Sequence, residues 1–213
     1  MVRKFKVYNG STLLKEGDSP LQITGLNPLT KYDLTISALE DGKESNKVDV
    51  PTFTTLGINI LKTIKASDFV TKNGGTLEDV DNSLKLTSDG TARIVMNTSP
   101  TSNNVLIQPM SQGKRYRLSG RVKLDNGYLP TDNTLRTLRL TLSGYVGAVR
   151  ILATNTPIPI STTEYLEFSG DFTAGDLTAF TSYYLTILSD TASERFTGTL
   201  YLKDIAIREI EGV

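Results

Sequence analysis

The chain has 213 residues, 23 Lys plus Arg against 23 Asp plus Glu, 38% apolar residues, and no histidine, cysteine or tryptophan. Balanced charge removes the global field that recruits nucleic acid or an anionic membrane, and the missing residue types exclude a Ser-His-Asp triad, thiol catalysis, an ordinary zinc site and any disulfide. The length suits one large domain or two small ones. No apolar run is long enough to span a bilayer as a helix, and residues 1–8 carry charge without the apolar core of a secretory signal, which predicts a soluble protein made in the cytoplasm.

Residues 5–8 read as a strand entering a tight turn at Asn9-Gly10, with Leu13 and Leu14 on the returning strand and Gly17 to Pro20 breaking the chain again. Residues 21–26 and 32–38 alternate apolar and polar positions, which predicts two further strands. Asp41-Gly42 turns the chain, and residues 48–55 form a last strand in which Pro51 marks an edge or a bulge. Together these make a small β-domain over residues 1–55.

Within it, the run Leu26, Asn27, Pro28, Leu29, Thr30, Lys31, Tyr32 resembles the tyrosine corner of fibronectin type III domains, and the resemblance extends to Thr55. It implies that the Tyr32 hydroxyl bonds to backbone a few residues upstream and pins the crossover between sheets. A complete sandwich of that family has about 100 residues, so its first strands and core tryptophan are missing here. The strand over residues 21–26 is then left with an unpaired edge and an uncovered apolar face. Either a partner chain or second copy covers that edge, or the fold is a self-sufficient minimal one.

Leu56-Gly57 is the boundary, and residues 58–61 open a second β-domain, residues 56–213. Residues 67–83 are polar and read as a long loop, and residues 84–96 as a hairpin turning at Ser88, Asp89 and Gly90. The clearest strand is residues 114–124, with Tyr116, Leu118, Val122 and Leu124 inward and Arg115, Arg117, Arg121 and Lys123 outward. Residues 135–143 and 146–153 follow, then a loop holding Pro157 and Pro159. In residues 165–172, Leu166, Phe168 and Phe172 point inward and Tyr165, Glu167 and Asp171 outward. Residues 180–188 form another apolar strand.

The last strand, residues 198–210, changes phase. Leu200 and Leu202 lie on one side of an extended chain and Ile205 and Ile207 on the other, so one extra residue at Lys203-Asp204, a β-bulge, brings all four onto one core. With roughly eight to ten strands and no convincing helix, this region has the strand count of a jelly roll. The chain as a whole is all-β, a small fibronectin III/Ig-like domain followed by a jelly-roll β-sandwich.

The run Gly113, Lys114, Arg115, Tyr116, Arg117, Leu118, Ser119 and the ending Leu202, Lys203, Asp204, Ile205 resemble carbohydrate-binding modules of the jelly-roll type, the group related to families 4 and 9. In such modules aromatic faces stack on sugar rings and polar side chains bond the hydroxyls. The resemblance implies a ligand-binding face made of Arg117, Arg121, Arg139, Tyr165, Glu167 and Tyr184, with Tyr128 and Tyr145 on loops beside it. The same residues also read as cross-strand ion pairs on a solvated sheet. Asp204 has two readings. The resemblance makes it a ligand of a structural calcium, with Asp68 and Asp89 as neighbours, and the bulge makes it an acceptor for freed backbone amides. No other cofactor is implied. Glu164 and Glu167, or Glu78, Asp79 and Asp81, supply carboxylates for glycoside hydrolysis by count, but nothing places them in an apolar pocket.

The combination of a short fibronectin-like domain with such a module resembles accessory proteins of tailed bacteriophage virions, on capsid, neck, tail or baseplate. This implies a non-enzymatic structural or decoration protein located in the virion. Residues 1–55 would dock to other virion proteins, the chain would be an oligomer, and the larger domain would adhere to host cell-surface polysaccharide, with neither nucleic acid nor membrane as partner. A non-catalytic module of a polysaccharide-processing system is the alternative, and a glycan hydrolase the third.

Overall fold

The structure, a computed structural model, describes residues 3–99, 105–127, 134–146, 149–159, 161–174, 182–189 and 196–211. Their regular structure is β-strand, with no α-helix among the described residues and a single 3-10 turn at Ala66–Asp68. The chain separates into two compact units, residues 1–58 and 59–212.

In the first unit, β1 (Lys4–Asn9) and β2 (Thr12–Gly17) form the expected hairpin, turning at Gly10, whose φ of 58° suits a residue without a side chain. After β3 (Lys31–Tyr32) comes β4 (Leu34–Glu40), which pairs with β1, with β5 (Lys43–Glu44) and with β6 (Val48–Asp49). Asp41 and Gly42, both at positive φ, make the β4–β5 turn. The predicted last strand is divided: β6 pairs with β4, while β7 (Phe53–Thr54) pairs with β3. Pro51 lies in the break, where its missing donor costs no ladder bond.

Residues 21–26 differ from expectation. They form no β-ladder, yet Leu21, Ile23 and Leu26 pack half-buried against a core of Val7, Tyr32 and Leu34. Alternation followed the need to face a core, which does not require a neighbouring strand. Tyr32 stacks on Phe53 with centroids 6.0 Å apart, and its hydroxyl accepts the Asn27 amide at 2.9 Å, the upstream bond expected of it. Glu44 is the polar hub of the unit. It accepts bonds from Lys6 Nζ at 2.8 Å, Tyr8 Oη at 2.6 Å and Ser37 Oγ at 2.7 Å. Led by the Lys6 bond, these hold its carboxyl down at about 2.

The second unit opens with two isolated bridges, Asn59 to Arg208 and Leu61 to Leu106. Two five-stranded sheets follow. The first has the order β15 (Leu166–Thr173), β12 (Arg115–Gly127), β17 (Thr197–Ile210), β10 (Ser83–Asp89), β9 (Thr76–Val80). The second runs β14 (Val149–Pro159), β13 (Thr134–Val146), β16 (Ser182–Ser189), β11 (Val95–Thr98), β8 (Phe69–Asn73). One core lies between them. It takes Leu84 and Leu86 from β10, Tyr116, Leu118, Val122 and Leu124 from β12, Leu140 and Leu142 from β13, Phe168 and Phe172 from β15, and Leu185 and Ile187 from β16.

Residues 67–83 are not a loop, for they contain β8 and β9, and these belong to different sheets. Gly74 and Gly75 carry the chain across. A Cβ on Gly74 would sit 2.3 Å from the Arg93 carbonyl oxygen, and one on Gly75 2.4 Å from that of Thr87. The polar composition of this stretch reflects short strands with one solvated face. Residues 84–96 are likewise not a hairpin, since β10 and β11 go to opposite sheets. The hairpin is β9–β10, turned by Asp81 and Asn82 at positive φ. Pro157 and Pro159 fall inside β14, at the edge of its sheet where proline is tolerated. Phe180 and Tyr128 lie outside the described residues.

β17 occupies the centre of its sheet, between β12 and β10, and carries the predicted bulge. Ser119 pairs with Ala206 and Arg121 with Lys203, so Asp204 and Ile205 together face Gly120. Asp204 is at φ 53°. Leu200, Leu202 and Ile207 are fully buried and Ile205 packs half-buried on the same core. The bulge restores the phase, as the apolar pattern required.

Candidate functional site

The outer face of the first sheet carries four of the six binding candidates. Arg117 and Arg121 stand on β12, Glu167 on β15, and Tyr165 just before β15. Arg117 forms a two-pronged ion pair with Asp171, at 2.6 and 2.9 Å, which Arg115 joins at 3.6 Å. The Arg117 bond, more than the charge itself, holds the Asp171 carboxyl below its usual range. Arg117 is thus engaged within the protein, as the solvated-sheet reading expects.

Arg121 is different. Its guanidinium carbon lies 5.9 Å from the Tyr165 ring centroid, and its buried Nε has no hydrogen-bond partner. In the ladder it faces Lys203 on one side and Glu167 on the other. Lys203 Nζ sits 3.9 Å over the Tyr165 ring, and the Tyr165 hydroxyl is 3.3 Å from Ser83 Oγ. Glu167 is exposed.

Beside this cluster the Asp204 bulge opens a groove of about 570 Å3. Asp79, Asp81, Asn82, Ser83, Lys203, Asp204 and Arg208 are among its lining residues. Ser83 and Lys203 line the groove and also contact Tyr165, so the aromatic ring forms its rim. Asn59, another lining residue, spends its Oδ1 on the amides of Leu61 and Ile207, each at 3.0 Å, and ties the entering chain to β17. The groove offers cations, amides, hydroxyls and carboxylates within one concavity. Tyr165, Arg121 and Asp204 are site candidates legible in the sequence, whereas Lys203, Ser83 and Arg208 carry no binding signal there. These lie on β17 and β10, which only pairing brings together.

Asp204 is exposed at the groove. Asp68 and Asp89, considered as its neighbours, are engaged elsewhere: Asp68 takes Lys62 Nζ at 2.9 Å and the Lys65 amide at 2.8 Å, and Asp89 takes the Thr91 amide and hydroxyl. Among the described residues no group of three or more His, Cys, Asp or Glu is placed to hold a metal ion.

The remaining candidates belong to the other sheet. Tyr184 is on β16 and only 2% exposed. Arg139 and Tyr145 lie on β13, with Arg139 between Leu188 of β16 and Pro157 of β14 in the ladder; their backbones alone are described. The six candidates therefore do not form one face. Alternation tells whether a side chain points toward or away from the core, and both sheets of a sandwich have a face pointing away. Around Tyr184 that face is polar but sealed. Thr141, Ser143 and Thr186 are fully buried, and Thr186 Oγ1 donates to Asn97 Oδ1 at 2.7 Å. The Ser and Thr positions alternating with leucine in β13 were the sequence signal for this row.

No family model and no curated protein matches the chain. Solved structures do match in fold. The N-terminal CBM22-1–CBM22-2 tandem domain of Xyn10C from Paenibacillus barcinonensis aligns over 99% of this chain and 73% of its own, with TM-score 0.51 and 10% identity. The CBM22-2 xylan-binding domain of the same protein covers 67% of this chain and 92% of its own, with TM-score 0.47 and 14% identity. The enzymatically active domain of bacteriophage CBA120 tailspike protein 4 covers 72% of this chain and 22% of its own, with TM-score 0.46 and 14% identity. At 10% identity the first likeness is one of fold, and the fold is that of the carbohydrate-binding-module jelly rolls.

Proposed function

We propose that the protein is a non-enzymatic component of a tailed-phage virion whose second unit adheres to host cell-surface polysaccharide. The observation that carries the binding half is the groove at the Asp204 bulge with Tyr165 on its rim. Its volume of about 570 Å3 lies in the range of ligand sites. Sugar hydroxyls both donate and accept, and this lining meets them with donors from Lys203, Arg208 and Asn82 and acceptors from Asp79, Asp81 and Asp204.

Binding without turnover fits the setting of the carboxylates. Asp79, Asp81, Asp204 and Glu167 are exposed, whereas a glycosidase acid is shielded by apolar surroundings. The virion half rests on the pairing of a fibronectin-like unit with a carbohydrate-binding-type unit, an analogy at the level of domains. Many copies on one particle would multiply individually weak contacts. The fold likeness to a tandem carbohydrate-binding module favours a second reading, a non-catalytic module of a polysaccharide-processing system.

Retention of the full chain on insoluble host cell wall, lost in Tyr165→Ala, tests binding; equal retention of the variant removes the groove from the account. Mass spectrometry of purified particles separates the two settings, since the second predicts that the protein is missing from them.

A further inference from the structure

We propose that the Tyr165 rim recognises an anionic group on the glycan, a carboxylate or a phosphate. The inference rests on the polysaccharide-binding reading above and names the class of polysaccharide. It starts from a local conflict in the sheet. Arg121 on β12 and Lys203 on β17 are direct partners in the antiparallel ladder, and both point away from the core. Like charges directly opposite one another weaken a sheet. The next such pair along the same two strands, Arg117 opposite Arg208, is relieved because Asp171 grips Arg117.

The Arg121–Lys203 pair has no such relief. Elsewhere on this sheet Lys85 reaches Glu78 at 3.6 Å and Lys114 reaches Glu209 at 3.2 Å. Among the described residues neither Arg121 nor Lys203 has a carboxylate at ion-pair distance, although Glu167 stands opposite Arg121 in the ladder. The Tyr165 ring offsets part of the repulsion by receiving both cations on its π-system. It cannot accept the proton of Arg121 Nε, which is buried without a partner. A guanidinium whose Nε lacks an acceptor, a facing ammonium that lines the groove and an aromatic platform beside it are elements that bind a sugar acid or sugar phosphate. The ring takes the apolar face of the sugar and the two cations take its anionic oxygens. Asp79, Asp81 and Asp204 line the groove, so the anion belongs at the rim and the hydroxyls inside.

The test uses the full chain and four probes: polygalacturonate for carboxylate, a glycerol-phosphate polymer for phosphate, and xylan and unsubstituted β-glucan as neutral controls. One of the two acidic polymers should bind at least about tenfold more tightly than either neutral one, and Arg121→Met or Lys203→Met should each remove about tenfold of that affinity. Added salt should weaken the acidic complex selectively. Without glycan, Lys203→Met should melt no lower than the wild type, because it removes the repulsion and keeps the packing on Tyr165. Neutral polymers binding as well as acidic ones, with Tyr165→Ala weakening both and the two methionine variants unchanged, would overturn the anion assignment and leave polysaccharide binding standing. Binding of none of the four would overturn both. Destabilisation by Lys203→Met would overturn the assignment from the structural side.

Discussion

The hydroxyl of Tyr116 accepts the backbone amide of Ser111 at 2.9 Å, five residues upstream. In the first unit Tyr32 does the same to Asn27, at the same separation and distance. Both rings are buried and stack on a phenylalanine, Phe172 and Phe53 respectively. In each case the chain enters a strand and the phenol satisfies an amide that no ladder bond would reach. The device expected at Tyr32 therefore occurs twice.

Tyr32→Phe and Tyr116→Phe keep the ring and delete the acceptor, leaving an amide unpaired. Each should destabilise the chain by about 0.5–1.5 kcal/mol, the net contribution of a hydrogen bond whose donor residue is itself exposed. Urea unfolding measured by tyrosine fluorescence and by circular dichroism checks this. The Tyr32 change should act on a transition of the first unit, and the Tyr116 change on one of the second.

Glu44 sets the acid response of the first unit. Its carboxyl is held at about 2 in the folded state, against an ordinary value of 4.5, chiefly by the Lys6 bond and then by Tyr8 and Ser37. A depressed folded value means that the stabilisation is complete above about pH 4.5 and disappears as pH falls toward 2. Glu44→Gln should flatten the stability profile of the unit in that window and lower its stability near neutrality. Thermal melts between pH 7 and 2 are the measurement.

Gly74 holds a φ of 77° and has a carbonyl where a Cβ would go. Gly74→Ala should cost more than about 1 kcal/mol through positive φ alone, with the backbone clash added. Gly120→Ala should behave differently. Its Cβ would meet the Phe168 ring at 2.5 Å, a side chain that can shift, so the loss should shrink in a Gly120→Ala, Phe168→Leu double variant. Denaturant melts of both series distinguish backbone from side-chain obstruction.

At the bulge, Asp204 keeps φ 53° in an L residue. Asp204→Gly should raise the melting temperature or leave it unchanged, and Asp204→Val should lower it by several degrees, since a β-branched residue fits that region poorly. Equal destabilisation by both would mean that the carboxylate, not the backbone, is what the position needs.

Much of this protein was legible from residue order alone. The apolar alternation of residues 114–124, the matching pattern of residues 165–172, the phase change at Lys203-Asp204 and the spacing of the tyrosine corner each report a local condition. A strand must turn its apolar side inward, and a bulge must repair a broken phase; neighbours in sequence suffice to state these. Which sheet a strand joins is another matter. β8 and β9 were hidden because short strands with a solvated face are polar, and β10 and β11 looked like a hairpin because adjacent strands usually pair. Glycines that admit a crossing backbone sent them apart instead. The same gap divided the predicted binding face, since Tyr184 and Arg121 share an outward parity but belong to opposite sheets. Only pairing across β15, β12, β17 and β10 brought Arg121, Lys203, Tyr165 and Ser83 together, because a site between strands depends on ladder register, and register is settled by the burial of the whole sandwich.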